Sequence, residues 1–415
     1  MFYLCRGFVY LELLIQKLIL RWLLTTAVRS VKSSVLAAVV VVIVAVSFVA
    51  GFFVGQSVVA PGVTGGATVT VTQTVAPAVA TRKFRLITFY LAGDPGYEAA
   101  KYFAELVRGM SGGRITIEVY YAGELGTAVT DIVDAVARGT VEIGMFYTSY
   151  LAGVDPVFAL AGGKPGPLSN SHDVLHYATK LFDLVNSTFT KFGVVAIGPM
   201  VFGDVEILVS RLPVSSLKDI EGRVFRSSGL AAVFWSRMGL QTMMLPAGEL
   251  YTALQLGTID GLEWTDYVAN YRMGFHEVAK YVVDPTPGYN LHSEATVHAY
   301  LIVNPSVWRE LPEDLRQIIR AACAATYYWT AYYVPALNKE YKQKWVDAGA
   351  TIVRLPQEDL ERILEVAIQL HVEYAAKSPE AREYVNRLVT IWRDLGYELW
   401  AEKLSRALEA AGLRT

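Results

Sequence analysis

Hydrophobic and polar residues follow a regular order of strand-like and helix-like segments in the body of the chain. The segments 83–90 and 114–122 alternate in polarity and predict β-strands, whereas 97–110 and 130–138 carry apolar residues at helical spacing. A further apolar strand, VEIGMFY, follows Gly139. The order strand, helix, strand, helix, strand predicts a mainly parallel sheet covered by helices, which is the α/β class.

Two stretches of the chain share one arrangement. Each begins with Gly-Glu-Leu, continues through a helix to a Gly-Thr stop, and ends in an apolar strand. The first runs from Gly123 to Met145 and the second from Gly248 to Leu262. Their internal spacing differs, so they are analogous units rather than a strict repeat. Two such units, well separated in the chain, predict two α/β lobes with a cleft between them.

The same pattern suggests where the lobes begin and end. We expect the first lobe at 83–206 and the second at 207–295. The segment 296–415 is expected to return to the first lobe and to end in long amphipathic helices, at 358–376 and 379–411. Two alternatives stay open for the apolar stripes of these helices: packing on the lobes of the same chain, or a homodimer through the C-terminal helices.

Residues 35–55 form a long apolar run without a charged residue. A bilayer is crossed by about 20 such residues. Basic residues precede the run and none follows until Arg82, so the positive-inside rule places the body outside the cytoplasm. The sequence therefore predicts a single-pass N-terminal transmembrane helix in the cell membrane with an extracytoplasmic body. The alternative is a long signal segment whose cleavage would secrete the body.

The segments on either side of this run have different predicted roles. Residues 1–34 are expected to be cytoplasmic, but their interrupted apolar run fits this poorly, and a true translation start at Val31 is the alternative. Residues 56–82 are rich in Thr, Val, Gly and Pro and predict an extended linker. An added β-strand is the alternative for this linker.

Composition and motifs argue against several classes of function. The net charge is −2 over 415 residues, so nucleic-acid binding is not predicted. Cys5 and Cys323 lie in different contexts and predict no disulfide framework. The S-x-x-K string at Ser215 lacks its K-T-G and S-D-N partners, and no G-x-S-x-G or H-E-x-x-H motif occurs. We therefore expect a protein that is not an enzyme.

Polar residues stand at the ends of two predicted strands. Arg226 ends the strand RVFR, and Glu263 and Trp264 end the strand that follows Gly257. Ligands of open α/β sheets bind at the carboxyl ends of strands, and the planar guanidinium of arginine fits a carboxylate. The alternatives are a surface arginine, a helix-capping glutamate and a core tryptophan.

Several stretches resemble the extracytoplasmic solute-binding proteins of TRAP transporters, the DctP-type family. They are 120–145, 212–228, 245–264 and 311–323, and the similarity covers nearly all of 83–413. The resemblance implies a two-lobed, periplasmic-binding-protein-like receptor that captures a small organic anion and delivers it to the membrane permease subunits of a secondary transporter. The alternative is the ligand-binding ectodomain of a membrane sensor system.

The segment from Glu263 to Gly288 is most similar to the subgroup that takes α-keto acids and other small or hydroxylated carboxylates. This resemblance implies that Arg226 forms a bidentate salt bridge with the substrate carboxylate. It further implies that Glu263 and the main-chain carbonyl of Trp264 bind a metal cation, calcium or sodium, beside the ligand. The indole of Trp264 is also expected to form a wall of the pocket.

Two further acidic residues are candidates for the same site. Glu206 is expected to contact the substrate or to ligate the metal, and Glu294 is expected to be another metal ligand. His292 competes with Glu294 for that role, and a solvated loop is the alternative for both.

Overall fold

A computed structural model describes residues 81–204, 206–289 and 296–415. The strands, in chain order, are β1 (Arg82–Thr88), β2 (Ile115–Tyr121), β3 (Ile143–Phe146), β4 (Val195–Gly203), β5 (Leu208–Ser210), β6 (Val224–Arg226), β7 (Gln241–Met243), β8 (Gly261–Glu263), β9 (Tyr281–Val283), β10 (Thr296–Val303) and β11 (Thr351–Val353). The helices are α1 (Pro95–Met110), α2 (Ile132–Ala137), α3 (Pro156–Ala161), α4 (Ser171–Lys191), α5 (Gly229–Arg237), α6 (Leu250–Leu256), α7 (Tyr267–Arg272), α8 (Phe275–Val278), α9 (Pro305–Glu310), α10 (Glu313–Asp347), α11 (Gln357–Ala375), α12 (Pro379–Asp394) and α13 (Glu398–Ala410).

The first lobe contains a sheet of order β2-β1-β3-β10-β4. Strands β1, β2 and β3 are parallel, and β10 runs antiparallel to both β3 and β4. Apolar residues of the strands and of α1, α2 and α4 form the core of this lobe, where these helices cover the sheet. The parallel arrangement predicted from the alternating pattern is therefore present at β1 to β3.

The second lobe contains a sheet of order β11-β9-β5-β8-β6-β7. Strand β6 is parallel to β7 and β8, and β5 is antiparallel to β8 and β9.

The last strand of the chain, β11, pairs with β9 in this second sheet, although 296–415 was expected to lie with the first lobe. The reason is helix α10, which packs on β4 and α1 of the first lobe and on α7 of the second. Trp345, near its end, is buried in the core of the second lobe and donates to the carbonyl oxygen of Tyr267 at 3.1 Å.

The C-terminal segment 379–411 was expected to be one helix, and this prediction is wrong. The segment forms α12 and α13, which are separated at Gly396 with φ +84°. A left-handed residue ends a helix, and the amide of Tyr397 closes the turn on the carbonyl oxygen of Trp392 at 2.8 Å. Trp392 and Trp400 are buried with ring centroids 5.6 Å apart. The apolar stripes of these helices therefore pack within their own chain.

Several predictions lie outside the described residues. They concern the apolar run 35–55, the segments that flank it, and the residues Glu294 and His292. Within the described part of the chain, no helix has the combination of length and apolar character that crossing a membrane requires.

Candidate functional site

The carboxyl ends of four strands from both lobes meet at one crevice. It is lined by residues that follow or end β1 (Phe89, Tyr90), β3 (Tyr147, Tyr150), β6 (Arg226, Ser228) and β8 (Glu263, Trp264, Thr265), together with Glu206 from the connection between the lobes. This position agrees with the rule that open α/β sheets bind ligands at the carboxyl ends of their strands.

Arg226 lies at the centre of this crevice and is only 2% exposed. Its Nη1 donates to the carbonyl oxygen of Glu263 at 2.8 Å, and its Nε donates to that of Leu245 at 3.3 Å. The guanidinium carbon is 4.6 Å from the centre of the Trp264 indole ring. These contacts fix the orientation of the guanidinium, but none of them neutralises its charge. Within the described residues, no carboxylate forms an ion pair with it.

Two of the predicted acidic residues line the same crevice. Glu206 is 2% exposed and Glu263 is 4% exposed. Oε2 of Glu263 accepts a hydrogen bond from the hydroxyl of Ser227 at 2.6 Å. Carboxylate oxygens are the donors that calcium prefers, so the chemistry of this pair fits a cation. Among the described residues, however, no group of three or more His, Cys, Asp or Glu side chains has metal-ligand geometry, and Glu294 lies outside them.

The first lobe provides an aromatic wall. The rings of Phe89 and Tyr90 are 4.0 Å apart, and those of Phe89 and Tyr150 are 5.5 Å apart. Burial raises the pKa of Tyr150 to about 12, and the positive charge of Arg226 opposes this shift. The phenol is therefore a neutral hydrogen-bond donor at physiological pH. Phe89 was not among the residues predicted for the site, and its signal in the sequence is its position directly after β1.

Asp260, which precedes β8, is not part of the crevice. Its carboxylate accepts from the amide of Val224 at 3.1 Å, and its own amide donates to the carbonyl oxygen of Val224 at 2.7 Å. The residue joins the start of β8 to β6, which is a structural role.

The two lobes touch at two places outside the lining of the crevice. Arg272 of α7 reaches across to the first lobe, where Nη1 donates to the carbonyl oxygen of Gly93 at 2.6 Å and to Glu98 at 3.2 Å. At a second place, the first residue of α5, Gly229, approaches Ser149 of the first lobe so closely that an added Cβ would overlap the serine hydroxyl. The structure is therefore a closed arrangement of the lobes.

A larger groove, with about 280 Å³ of free volume, lies between α4, β4 and α10. Its lining is mostly apolar and includes Phe182, Pro199 and Tyr327, with Arg320 as its single charged residue. Since several polar groups converge in the crevice and not in this groove, we place the candidate site for an anion at the crevice.

Relatives of known function and structure are similar to this chain over most of its length. The monocarboxylate 2-oxoacid-binding periplasmic protein of Nostoc sp. is 26% identical over 299 residues, which span 71% of this chain and 80% of that protein. A TRAP periplasmic solute-binding protein from Colwellia psychrerythraea, solved with bound calcium and pyruvate, has a TM-score of 0.66 and 24% identity, covering 80% of this chain and 99% of that chain. A TRAP solute-binding protein from Bordetella bronchiseptica, with calcium and picolinate, has a TM-score of 0.67 and 22% identity, covering 80% and 95%. These structures confirm the predicted two-lobed α/β fold.

The family resemblance seen in the sequence is confirmed as well. Residues 88–378 match the family described as bacterial extracellular solute-binding protein, family 7. The chain belongs to this family, DctP, whose members are solute-binding receptors and not enzymes.

Proposed function

We propose that this protein is the extracytoplasmic receptor of a TRAP-type secondary transporter and that it captures a small organic acid in the crevice between its lobes. The observation that carries this proposal is the buried guanidinium of Arg226, which is held by two main-chain carbonyls and has no ion-pair partner among the described residues. A buried charge is costly unless it is paired. The carboxylate of a ligand provides the pair, and the relatives named for 2-oxoacids or solved with pyruvate support this class of ligand.

The ligand is proposed to form a bidentate salt bridge with Arg226 while Trp264 forms one wall of the pocket and Glu206 contacts the ligand. Closure of the lobes removes water from the crevice, and the attraction between the two charges becomes stronger as the effective dielectric constant falls. The closed receptor would then deliver the ligand to the permease subunits. An N-terminal anchor at 35–55 would keep it at the membrane surface.

A cation is proposed to lie beside the ligand. Glu206, Glu263, the main-chain carbonyl of Trp264 and Glu294 would hold it, and calcium and sodium are the two candidates. When bound, the cation provides positive charge between an anionic ligand and the carboxylates of the crevice, which would otherwise repel each other.

Small monocarboxylates are expected to bind the full-length protein, whereas their amides are not. Pyruvate should raise the melting temperature, and pyruvamide, which has nearly the same shape without the charge, should bind at least about tenfold more weakly, because charge-assisted hydrogen bonds are roughly twice as strong as neutral ones. Thermal-shift and titration calorimetry measure both. Equal affinities for the acid and the amide would contradict the proposed function.

Removal of cations is expected to weaken carboxylate binding by about tenfold or more, because the ligand would then face the buried charges of Glu206 and Glu263 without compensation. The measurement is calorimetry after treatment with a chelator and dialysis into sodium-free buffer. Adding back calcium or sodium should restore the affinity. An affinity that is the same with and without both ions would show that the site needs no cation.

A further inference from the structure

A second compartment adjoins the crevice of Arg226. Its free volume is about 20 Å³, enough for one water-sized polar group. It shares two lining residues, Tyr90 and Thr265, with the crevice. Its other walls include Phe202 of β4 and Val334 of α10. We call this space the distal compartment.

Two acidic residues face the distal compartment from opposite lobes. Asp94 precedes α1 in the first lobe, and Asp266 precedes α7 in the second. Each caps its helix: one oxygen of Asp94 accepts from the amide of Gly96 at 2.8 Å, and one oxygen of Asp266 accepts from the amides of Val268 and Ala269 at 3.1 and 3.0 Å. These bonds fix both negative charges in place. Neither lysine nor arginine is among the described residues that line the compartment.

A tyrosine with a buried hydroxyl group lines the distal compartment together with the two carboxylates. Tyr90 is 5% exposed, and its hydroxyl has no hydrogen-bond partner among the described residues. Burial raises the pKa of Tyr90 well above its usual value, and the charges of Asp94 and Asp266 raise it further. The hydroxyl of Thr265 is also buried and unpartnered among the described residues. An unpaired buried polar group is costly, so two of them where the two spaces meet point to a polar group of the ligand.

The two spaces offer different groups to a ligand. The crevice offers the guanidinium of Arg226 to an anion, and the distal compartment offers two carboxylates and two hydroxyl groups to a hydrogen-bond donor. Tyr90 and Thr265 line both spaces, so a single small molecule can extend from one space into the other. A ligand that matches this arrangement has a carboxylate at one end and a donor at the other.

We propose that the distal compartment is a binding subsite for a hydroxyl or ammonium group carried by the same monocarboxylate that Arg226 holds. This inference rests on the proposed function and makes its substrate class narrower. The donor group satisfies Tyr90 and Thr265 and is attracted by Asp94 and Asp266. A dicarboxylate would instead bring its second anion next to two fixed negative charges, and is repelled.

A series of four-carbon ligands tests this subsite by calorimetry on the full-length protein. Butyrate, 4-hydroxybutyrate, 4-aminobutyrate and succinate differ only in the group at the far end. We expect the hydroxy and amino acids to bind at least about tenfold more tightly than butyrate, and succinate to bind more weakly than butyrate. The relative affinity of the hydroxy and amino acids shows which donor the subsite prefers. Succinate that binds as tightly as butyrate, or donors that give no gain, would overturn the proposal.

Two variants test whether the carboxylates of Asp94 and Asp266 cause the preference for a ligand with a donor group. Asp94→Asn and Asp266→Asn keep a good helix-capping residue but remove the charge. Each is expected to reduce the preference for 4-aminobutyrate over succinate by about tenfold. Asp155→Asn is the matched control, because Asp155 caps α3 through the amide of Val157 at 2.8 Å and lies outside both spaces. An unchanged preference in both test variants would refute the role of the carboxylates.

The result also separates this subsite from the receptor function. If butyrate binds and its binding depends on Arg226, but the far-end group has no effect, only the subsite is refuted. If no member of the series binds, and replacement of Arg226 does not change the binding of any other carboxylate, the receptor function and the subsite are both refuted.

Discussion

Replacement of Arg226 by glutamine is expected to abolish measurable carboxylate binding while the protein remains folded. Truncating one partner of a buried, hydrogen-bonded charge pair typically costs about 2–5 kcal/mol, which corresponds to a loss in affinity of roughly 30-fold to several thousand-fold. Glutamine places its amide nitrogen near the position of Nε, which now donates to the carbonyl oxygen of Leu245 at 3.3 Å, and it carries no charge into the buried site. Calorimetry with the wild-type ligand measures the loss.

The control for this variant is Arg223→Gln, three residues earlier in the chain. Arg223 is exposed, whereas Arg226 is buried, so removal of its charge should leave the affinity unchanged. Circular dichroism and melting temperature show whether each variant is folded. Wild-type affinity in a folded Arg226→Gln protein would mean that this guanidinium does not hold the ligand.

The location of Arg226 could be predicted from sequence because it depends on local pattern. The strand RVFR and the apolar strand before Glu263 both lie between turn signals, and β6 and β8 are parallel neighbours. Their carboxyl ends therefore lie side by side, with Arg226 paired with Leu262 in register. A period of two residues and a rule for strand ends were sufficient to bring these side chains to one edge.

The opposite wall of the crevice depends on long-range pairing that no local pattern contains. Tyr90 and Tyr150 come together because β1 and β3 are neighbours in a sheet where β10, from much later in the chain, follows β3. The sequence does not identify the subsite residues either, because Asp94 and Asp266 have the pattern of ordinary helix-capping residues. Only the closed lobes bring both of them to one compartment.

The C-terminal region shows a different limit of prediction from sequence. Apolar residues continue at helical spacing through 379–411, and a glycine within such a pattern is compatible with one helix. The break at Gly396, with φ +84°, brings Trp392 of one helix against Trp400 of the next, a contact that the helical spacing does not indicate. Likewise, β11 joins the second sheet because α10 is long enough, at 35 residues, to reach from one lobe to the other.

Replacement of Gly229 by valine is expected to weaken ligand binding by on the order of 100-fold, although residue 229 does not line the crevice. A Cβ at this position would overlap the hydroxyl of Ser149 and would lie 3.1 and 3.2 Å from its carbonyl oxygen and Cβ. Rotation of the hydroxyl removes only the first of these contacts. Because Gly229 and Ser149 belong to different lobes, the added side chain opposes closure, and the apparent affinity falls with the fraction of receptor that can close.

Part of the effect of any side chain at residue 229 comes from its backbone, since φ is +57°. Gly222→Val is the matched control, because Gly222 has φ +75° in the same lobe but open space around its Cβ position. We expect this control to lower the melting temperature while binding stays close to wild type. Small-angle scattering should show that the ligand compacts the wild-type protein and the Gly222 variant but not the Gly229 variant. Equal affinities in the two glycine variants would mean that binding does not require the contact between Gly229 and Ser149, and the closed arrangement would then not be the one that holds the ligand.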